Sequence, residues 1–592
     1  MLLSGKGNAG RALKNDQSES FSLSGIKSRL KDKYTTSNIL IGDTTHPNGL
    51  CVKTNMTSYP LLLKQLWHTP LANAANQEIV YRDQLRLNYR QVYDRIERFG
   101  AALAAYGLQQ NDVIAVMDHD SHRYLECYFA IPMYGATLMT VNTKLTPAQI
   151  AYTLNHSRAS MLLLHADFIP IIESIHAELP GIQKYIVMAD ETAVPQTILQ
   201  FDNEYECWLA DQKDGFNFSD FDENTRATTF YTTGTTGVPK GVYYTHRQLV
   251  LHTLAAGMAL TAPAAQQRFH SEDVYMPLTP MFHVHAWGIP YIVTLLGIKQ
   301  VYPGRYAPDM LLRLIREEQV TCSHCVPTLL KMILTAAQAA AVDLRGWKVV
   351  IGGSALPQVL ARQALEMGID CFAGYGLSET APILTLAQLN ATAQGPMTDD
   401  TLAKLCCAGR AIPLVDLQIV DEVMQSQAHD GQSSGEIVAR APWLTHGYLD
   451  NIEASAALWR GDYLHTQDIG TMDSNGYLYI TDRLKDVIKV AGEWVSSLEL
   501  EDALTQVIGV KEVAVIGVPD KRWGECPLAL LIVDNNLFKE SAAQEQVRLF
   551  VERGSIPKHA LLTRFKQVKS ITKTSVGKID KKALRAEHAV AQ

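Results

Sequence analysis

No apolar run in this 592-residue chain approaches the ~18 residues that a membrane span needs. The longest candidate, around Gly288 to Ile298, is too short and contains Pro290. There is no excess of basic charge either. The formal net charge is −8, whereas a general nucleic-acid binder carries a basic footprint, so no nucleic-acid partner is expected. The nine cysteines, Cys51, Cys127, Cys207, Cys322, Cys325, Cys371, Cys406, Cys407 and Cys526, are scattered and odd in number. That is unlike a disulfide framework, and a reducing cytoplasm is the natural compartment. Cys322-x-x-Cys325 encloses His324, but no second pair with ligand spacing answers it. The stretch Val320 to Val326 reads as a buried strand with core cysteines.

What is present is globular: 47% hydrophobic and 19% charged residues, with length for roughly four average domains or fewer large α/β units. Residues 1–55 are rich in Ser and Lys, have little periodicity and lack the apolar core of a signal peptide. Arg11, Lys14 and the serines faintly resemble an organelle transit sequence; Asp16, Glu19 and Asp32 count against it, and a disordered extension is expected. From about Tyr59 the chain alternates. Val113–Met117 reads as a strand, Arg123–Tyr134 as a helix, Ala136–Val141 as a strand, Pro147–Leu154 as a helix and Ser160–Leu164 as a strand. This rhythm implies parallel strands joined by crossover helices.

The most distinctive stretch is Tyr231 to Val242, with four threonines, three glycines and Lys240. It makes a poor helix and a poor core strand. Glycines let backbone N–H groups converge and threonine hydroxyls add donors, so the stretch suits a phosphate-cradling loop with a mobile cation. The spacing is not that of a Walker A loop. Further on, the strand Val349–Gly353 ends in Gly352-Gly353-Ser354-Ala355, where a ligand could approach the backbone of an open α/β sheet. Gly374-Tyr375-Gly376-Leu377-Ser378-Glu379-Thr380 offers an aromatic face for a purine and a carboxylate suited to Mg²⁺. Asp468 stands after a strand-like run, and Tyr479 to Lys489 is densely charged.

Taken in order, these segments and Ile571 to Asp580 resemble the hallmarks of the adenylate-forming superfamily of acyl-CoA synthetases, luciferases and peptide-synthetase adenylation domains. The resemblance spans roughly residues 60 to 590. It implies an α/β fold: a large N-terminal domain of stacked α/β sheet subdomains with a small β subdomain (residues 56–484), then a small mobile α/β C-terminal domain (485–592). It also implies ATP, Mg²⁺ and coenzyme A. Thr232, Thr233, Gly234, Thr235, Thr236, Gly237 and Lys240 would hold phosphates, and Thr232 and Glu379 would place Mg²⁺. Gly353, Ser354, Gly374, Tyr375, Gly376 and Ser378 would border the nucleotide, with Tyr375 on adenine; Asp468 and Arg483 would hold the ribose. Lys578 would serve adenylation. Rotation at Lys485 would then bring Lys489 and Gly492 to the thioester step.

Gly492-Glu493-Trp494-Val495, and Trp287 after His283, are similar to fatty acyl-CoA synthetases of medium- and long-chain type. The resemblance therefore implies a fatty acid substrate, with His283 and Trp287 at its pocket. An aryl-CoA ligase, a short-chain relative such as a methylmercaptopropionate ligase, and a nucleotide-binding pseudoenzyme are the alternatives. Homodimers among the similar synthetases suggest a homodimer here, and transient membrane contact would be compatible with a lipid substrate. The sequence departs from the family pattern at Gln467 and Ala491, where glycine is usual. The first departure predicts a slightly altered turn, the second little loss of backbone clearance.

Overall fold

The computed structural model describes residues 59–190, 195–233, 238–262, 268–389, 397–491, 493–554, 556–573 and 579–588. Gly234 to Gly237, Gly492 and Lys578, all expected site residues, lie outside them.

Two large sheets dominate. In the seven-stranded one, Val113–Met117 lies between Ala159–His165 and Thr137–Thr140, and all three run parallel. Every residue of Val113–Met117 and Thr137–Thr140 is buried, as in parallel strands covered on both faces. The intervening helix His122–Tyr134 starts at Ser121, whose hydroxyl accepts the Tyr124 N–H at 3.1 Å. Arg226–Thr233 joins parallel to Thr137–Thr140, and Pro239–Thr245 folds back against it with Thr232 opposite Lys240. The flanks of the Thr/Gly stretch are thus strand, contrary to the expectation of a poor core strand. β-Branched threonines pair well in a two-stranded ribbon at a sheet edge.

The nine-stranded sheet carries Glu78–Tyr81, Lys299–Tyr302, Val274–Pro277, Cys322–Cys325, Lys348–Ile351 and Asp370–Gly376 as its parallel run. Cys322–Cys325 is a fully buried strand here, and burial pushes both thiols up. A third sheet is built from Asp416–Val420, Gly435–Arg440, Trp459–Arg460, Tyr463–Met472 and Leu478–Arg483.

The C-terminal residues form a further sheet of Ile488–Val490, Glu493–Val495, Val510–Asp520, Gly524–Val533 and Arg564–Gln567. Helices Ser497–Thr505 and Glu540–Glu552 cover it over a core that includes Ile488, Val515, Leu531 and Val547. Asp482, at the end of the third sheet, accepts the Ser497 N–H at 2.6 Å. The last helix, Lys581–His588, is tied down by Lys581 to Glu501 at 2.8 Å and by Arg585 to Asp486 at 2.5 Å. The architecture is the expected one, a large α/β domain followed by a small α/β domain.

Candidate active site

Four segments far apart in sequence meet around one cavity of about 280 Å³. Thr232 and Lys240 come from the antiparallel hairpin, and Gly352 and Gly353 from the end of Lys348–Ile351. Gly374 to Glu379 come from the end of Asp370–Gly376 and the turn after it, and Thr466, Gln467, Arg483 and Lys485 from the third sheet and its exit. The cavity therefore lies off the carboxyl ends of parallel strands, where open α/β sheets receive ligands.

Close approach explains two of the glycines. A Cβ on Gly376 would sit 1.7 Å from the Pro382 carbonyl oxygen, so only glycine lets this strand turn beside Pro382. A Cβ on Gly352 would meet the Trp287 ring at 2.9 Å.

Polar contacts fix the remaining walls. The Tyr375 hydroxyl donates to Asp468 Oδ2 at 2.8 Å, and Arg483 Nε stands 3.2 Å from Asp468 Oδ1. Burial, then the Asp468 carboxylate, push the Tyr375 phenol up, so it remains a donor. Asp468 lies within the strand Tyr463–Met472 rather than after it. The departure lies at its neighbour Gln467, which keeps φ +60° and so occupies the left-handed region that glycine favours. It thereby accepts a backbone strain that glycine would avoid. Ala491 does the same at φ +53°. The Glu379 carboxylate accepts the Tyr448 hydroxyl at 2.7 Å, and Lys240 Nζ rests 4.7 Å from the centre of the Tyr448 ring. Tyr448, Asn142, Leu464 and His465 line the cavity without having been legible as site residues.

Apolar groups share this lining: Val284, Trp287, Val350 and Ile383 belong to it, together with His283. Val284, His285, Ala286 and Trp287, then Gly288, all have positive φ, making a left-handed turn where the sequence reads as the approach to a helix. Trp287 is buried, with its ring centre 5.0 Å from that of His324. His285 faces away from the cavity among Tyr128, Phe230 and Tyr291, and burial drops its pKa to about 3.

Several expected residues are not at this cavity. Ser354 is exposed beyond its rim. Lys489 and Trp494 face each other across two paired strands of the small domain, Lys489 Nζ lying 5.4 Å from the Trp494 ring centre. Of Thr233 only the backbone is described, paired with Pro239 in the hairpin. Elsewhere His119, His165 and Asp167 cluster, but the Asp167 carboxylate already pairs with Arg305 at 2.7 Å and His165 Nδ1 already accepts the Asp167 N–H at 3.2 Å.

Two family models match the chain: AMP-binding enzyme over residues 67–449 and AMP-binding enzyme C-terminal domain over residues 499–578. A long-chain-fatty-acid–CoA ligase of Thermus thermophilus is 37% identical over 506 residues, covering 85% of this chain and 90% of its own. A 3-methylmercaptopropionyl-CoA ligase of Ruegeria pomeroyi is 33% identical over 84% of this chain and 91% of its own. Among solved structures, an anthranilate CoA ligase in complex with anthranoyl-AMP matches with a TM-score of 0.78 at 24% identity, covering 89% of this chain and 98% of that one. The chain belongs to the AMP-binding family of adenylate-forming enzymes, together with these acyl-CoA ligases.

Proposed function

We propose that this protein is an ATP-dependent fatty acyl-CoA ligase acting through an acyl-adenylate. A carboxylate oxygen attacks the α-phosphorus of ATP and the bond to pyrophosphate breaks. The thiol of coenzyme A then attacks the acyl carbon, loses its proton to solvent, and the bond to AMP breaks. Such steps need alignment and charge stabilisation more than covalent help.

The observation that carries this reading is one cavity lined by both polar and apolar residues. Among the polar ones Thr232 and Lys240 serve the phosphates, the Tyr375 face takes adenine, and Asp468 with Arg483 takes the ribose. Among the apolar ones Trp287, Val350 and Ile383 suit an aliphatic chain, with Trp287 as a movable plug and His283 in the same lining. The Glu379 carboxylate and the Thr232 hydroxyl are hard oxygen donors lining the same cavity, a set that fits Mg²⁺, which when bound would offset triphosphate charge.

Lys578 is assigned to adenylation. The chain on either side of its loop is anchored: Lys573 pairs with Ile579, and Lys573 Nζ lies 2.8 Å from Glu512. Lys489 and Gly492 are assigned to the thioester step, reached by rotation of the small domain (residues 485–592) about Lys485. The position of Lys489 outside the cavity lining supports that division.

The test is pyrophosphate release with straight-chain acids from two to eighteen carbons, alongside 3-methylmercaptopropionate and anthranilate, with and without coenzyme A. Highest kcat/KM for a medium- or long-chain acid supports the reading. Preference for the thioether or aryl acid would reassign the substrate within the same family.

A further inference from the structure

Opposite charges that line one cavity attract each other. Lys240 and Glu379 both line this cavity, yet no carboxylate among the described residues lies within salt-bridge distance of Lys240. One side chain touches both. The Tyr448 hydroxyl donates to Glu379 Oε1 at 2.7 Å, and its ring lies 4.7 Å from Lys240 Nζ.

The segment carrying Tyr448 is fastened to the backbone of both neighbours. Trp443 Nε1–H donates to the Thr380 carbonyl at 3.0 Å, and the Thr445 N–H to the Glu379 carbonyl at 3.1 Å. On the hairpin side, the Thr445 hydroxyl donates to the Tyr243 carbonyl at 3.0 Å and the Leu449 N–H to the Gly241 carbonyl at 2.8 Å. Tyr448 itself bridges to Val242, and its N–H donates to Ser455 Oγ at 2.8 Å. The ring is therefore held between the phosphate hairpin and the Glu379 turn by contacts independent of its own hydroxyl.

We infer that Tyr448 is a positioning residue that keeps Lys240 and Glu379 apart and aimed: the ring seats the ammonium for the triphosphate, and the hydroxyl orients the carboxylate for the metal. This rests on the nucleotide reading given above. The two roles separate chemically. Tyr448→Phe removes the hydroxyl and keeps the ring, while Tyr448→Leu removes both.

The experiment is calorimetric titration of ATP into the whole chain, once in EDTA and once across a magnesium series, with circular dichroism of each variant. Tyr448→Phe should raise the half-saturating magnesium concentration for ATP binding by about tenfold, as loss of a hydrogen bond to a charged group does, and leave ATP binding in EDTA within about twofold. Tyr448→Leu should in addition weaken ATP binding in EDTA by about three- to tenfold, through loss of the cation–π seat. Wild-type magnesium dependence in Tyr448→Phe overturns the proposal while leaving the nucleotide site intact. A wild type whose ATP binding ignores magnesium likewise overturns the proposal, and a wild type that binds no ATP overturns the nucleotide reading itself. If Tyr448→Leu fails to fold, Tyr448→Phe alone decides.

Discussion

At the scale of single residues, Gln467 shows what a glycine position tolerates. Its φ of +60° costs an L-residue roughly 1–2 kcal/mol, and the cost is accepted because the backbone is held on both sides. The Gln467 N–H donates to Glu436 at 3.1 Å, and the Leu484 N–H donates to the Gln467 carbonyl at 2.9 Å. Gln467→Gly should therefore raise stability by about 1 kcal/mol in urea unfolding, since glycine carries no penalty there. A destabilised variant would show that the side chain contributes contacts worth more than the strain. Tyr375, Glu379 and Asp468 were legible because each sits in a short local motif. Tyr448 was not, because its meaning lies in a contact with Glu379 across 69 residues of sequence.

At the scale of elements, the parallel strands were legible from short apolar runs, and Val113–Met117 has the bounds the pattern predicts. The left-handed turn Val284–Gly288 was not. Four non-glycine residues with positive φ would each cost roughly 1–2 kcal/mol, and no local propensity signals such a choice. Tertiary contacts hold the segment that leads into it. The Met281 N–H donates to Asp120 at 2.8 Å, the Tyr128 hydroxyl donates to the Met281 carbonyl, and the Thr140 hydroxyl donates to the Phe282 carbonyl at 2.8 Å. The turn delivers Trp287 to the cavity wall over Gly352. In Trp287→Ala the apolar lining should open and chain-length preference should change, since each buried methylene is worth about 0.8 kcal/mol, while ATP binding stays nearly constant. If Trp287 is only packing, all acids should lose activity alike, in step with a lowered melting temperature, as a core cavity costs several kcal/mol.

For the whole molecule, burial leaves a charge ledger that pH will expose. His246, His252, His285 and His324 are all buried, and burial lowers each pKa to about 3. Such a histidine takes up its proton only on unfolding, so its contribution is complete above about pH 6.5 and is lost as pH falls, by about 1.4 kcal/mol per unit. Burial raises Asp120 and Glu499 to about 7, and these act in the opposite sense, losing stability as pH rises from about 4 to 7. Burial raises Glu501 and Asp502 as well, so the two sets oppose each other and the histidine share is read by difference. The loss of stability on acidification from pH 5.5 to 4.5 should be smaller by about 1 kcal/mol in His285→Phe than in the wild type, and an equal loss in both would contradict it. The two-domain order was legible from motif order alone, whereas the distance of Lys489 and Trp494 from the cavity was not, because it depends on how the small domain is turned. The central claim is that one chain carries out two successive half-reactions. Its most direct measurement is a single turnover of enzyme, ATP, magnesium and a radiolabelled medium- or long-chain acid without coenzyme A, quenched and then repeated with coenzyme A added as a chase. The account predicts enzyme-bound acyl-AMP and pyrophosphate in equal amounts, with the label passing wholly into thioester on the chase. Cleavage of ATP to ADP, or thioester formed with no acyl-AMP preceding it, would contradict it.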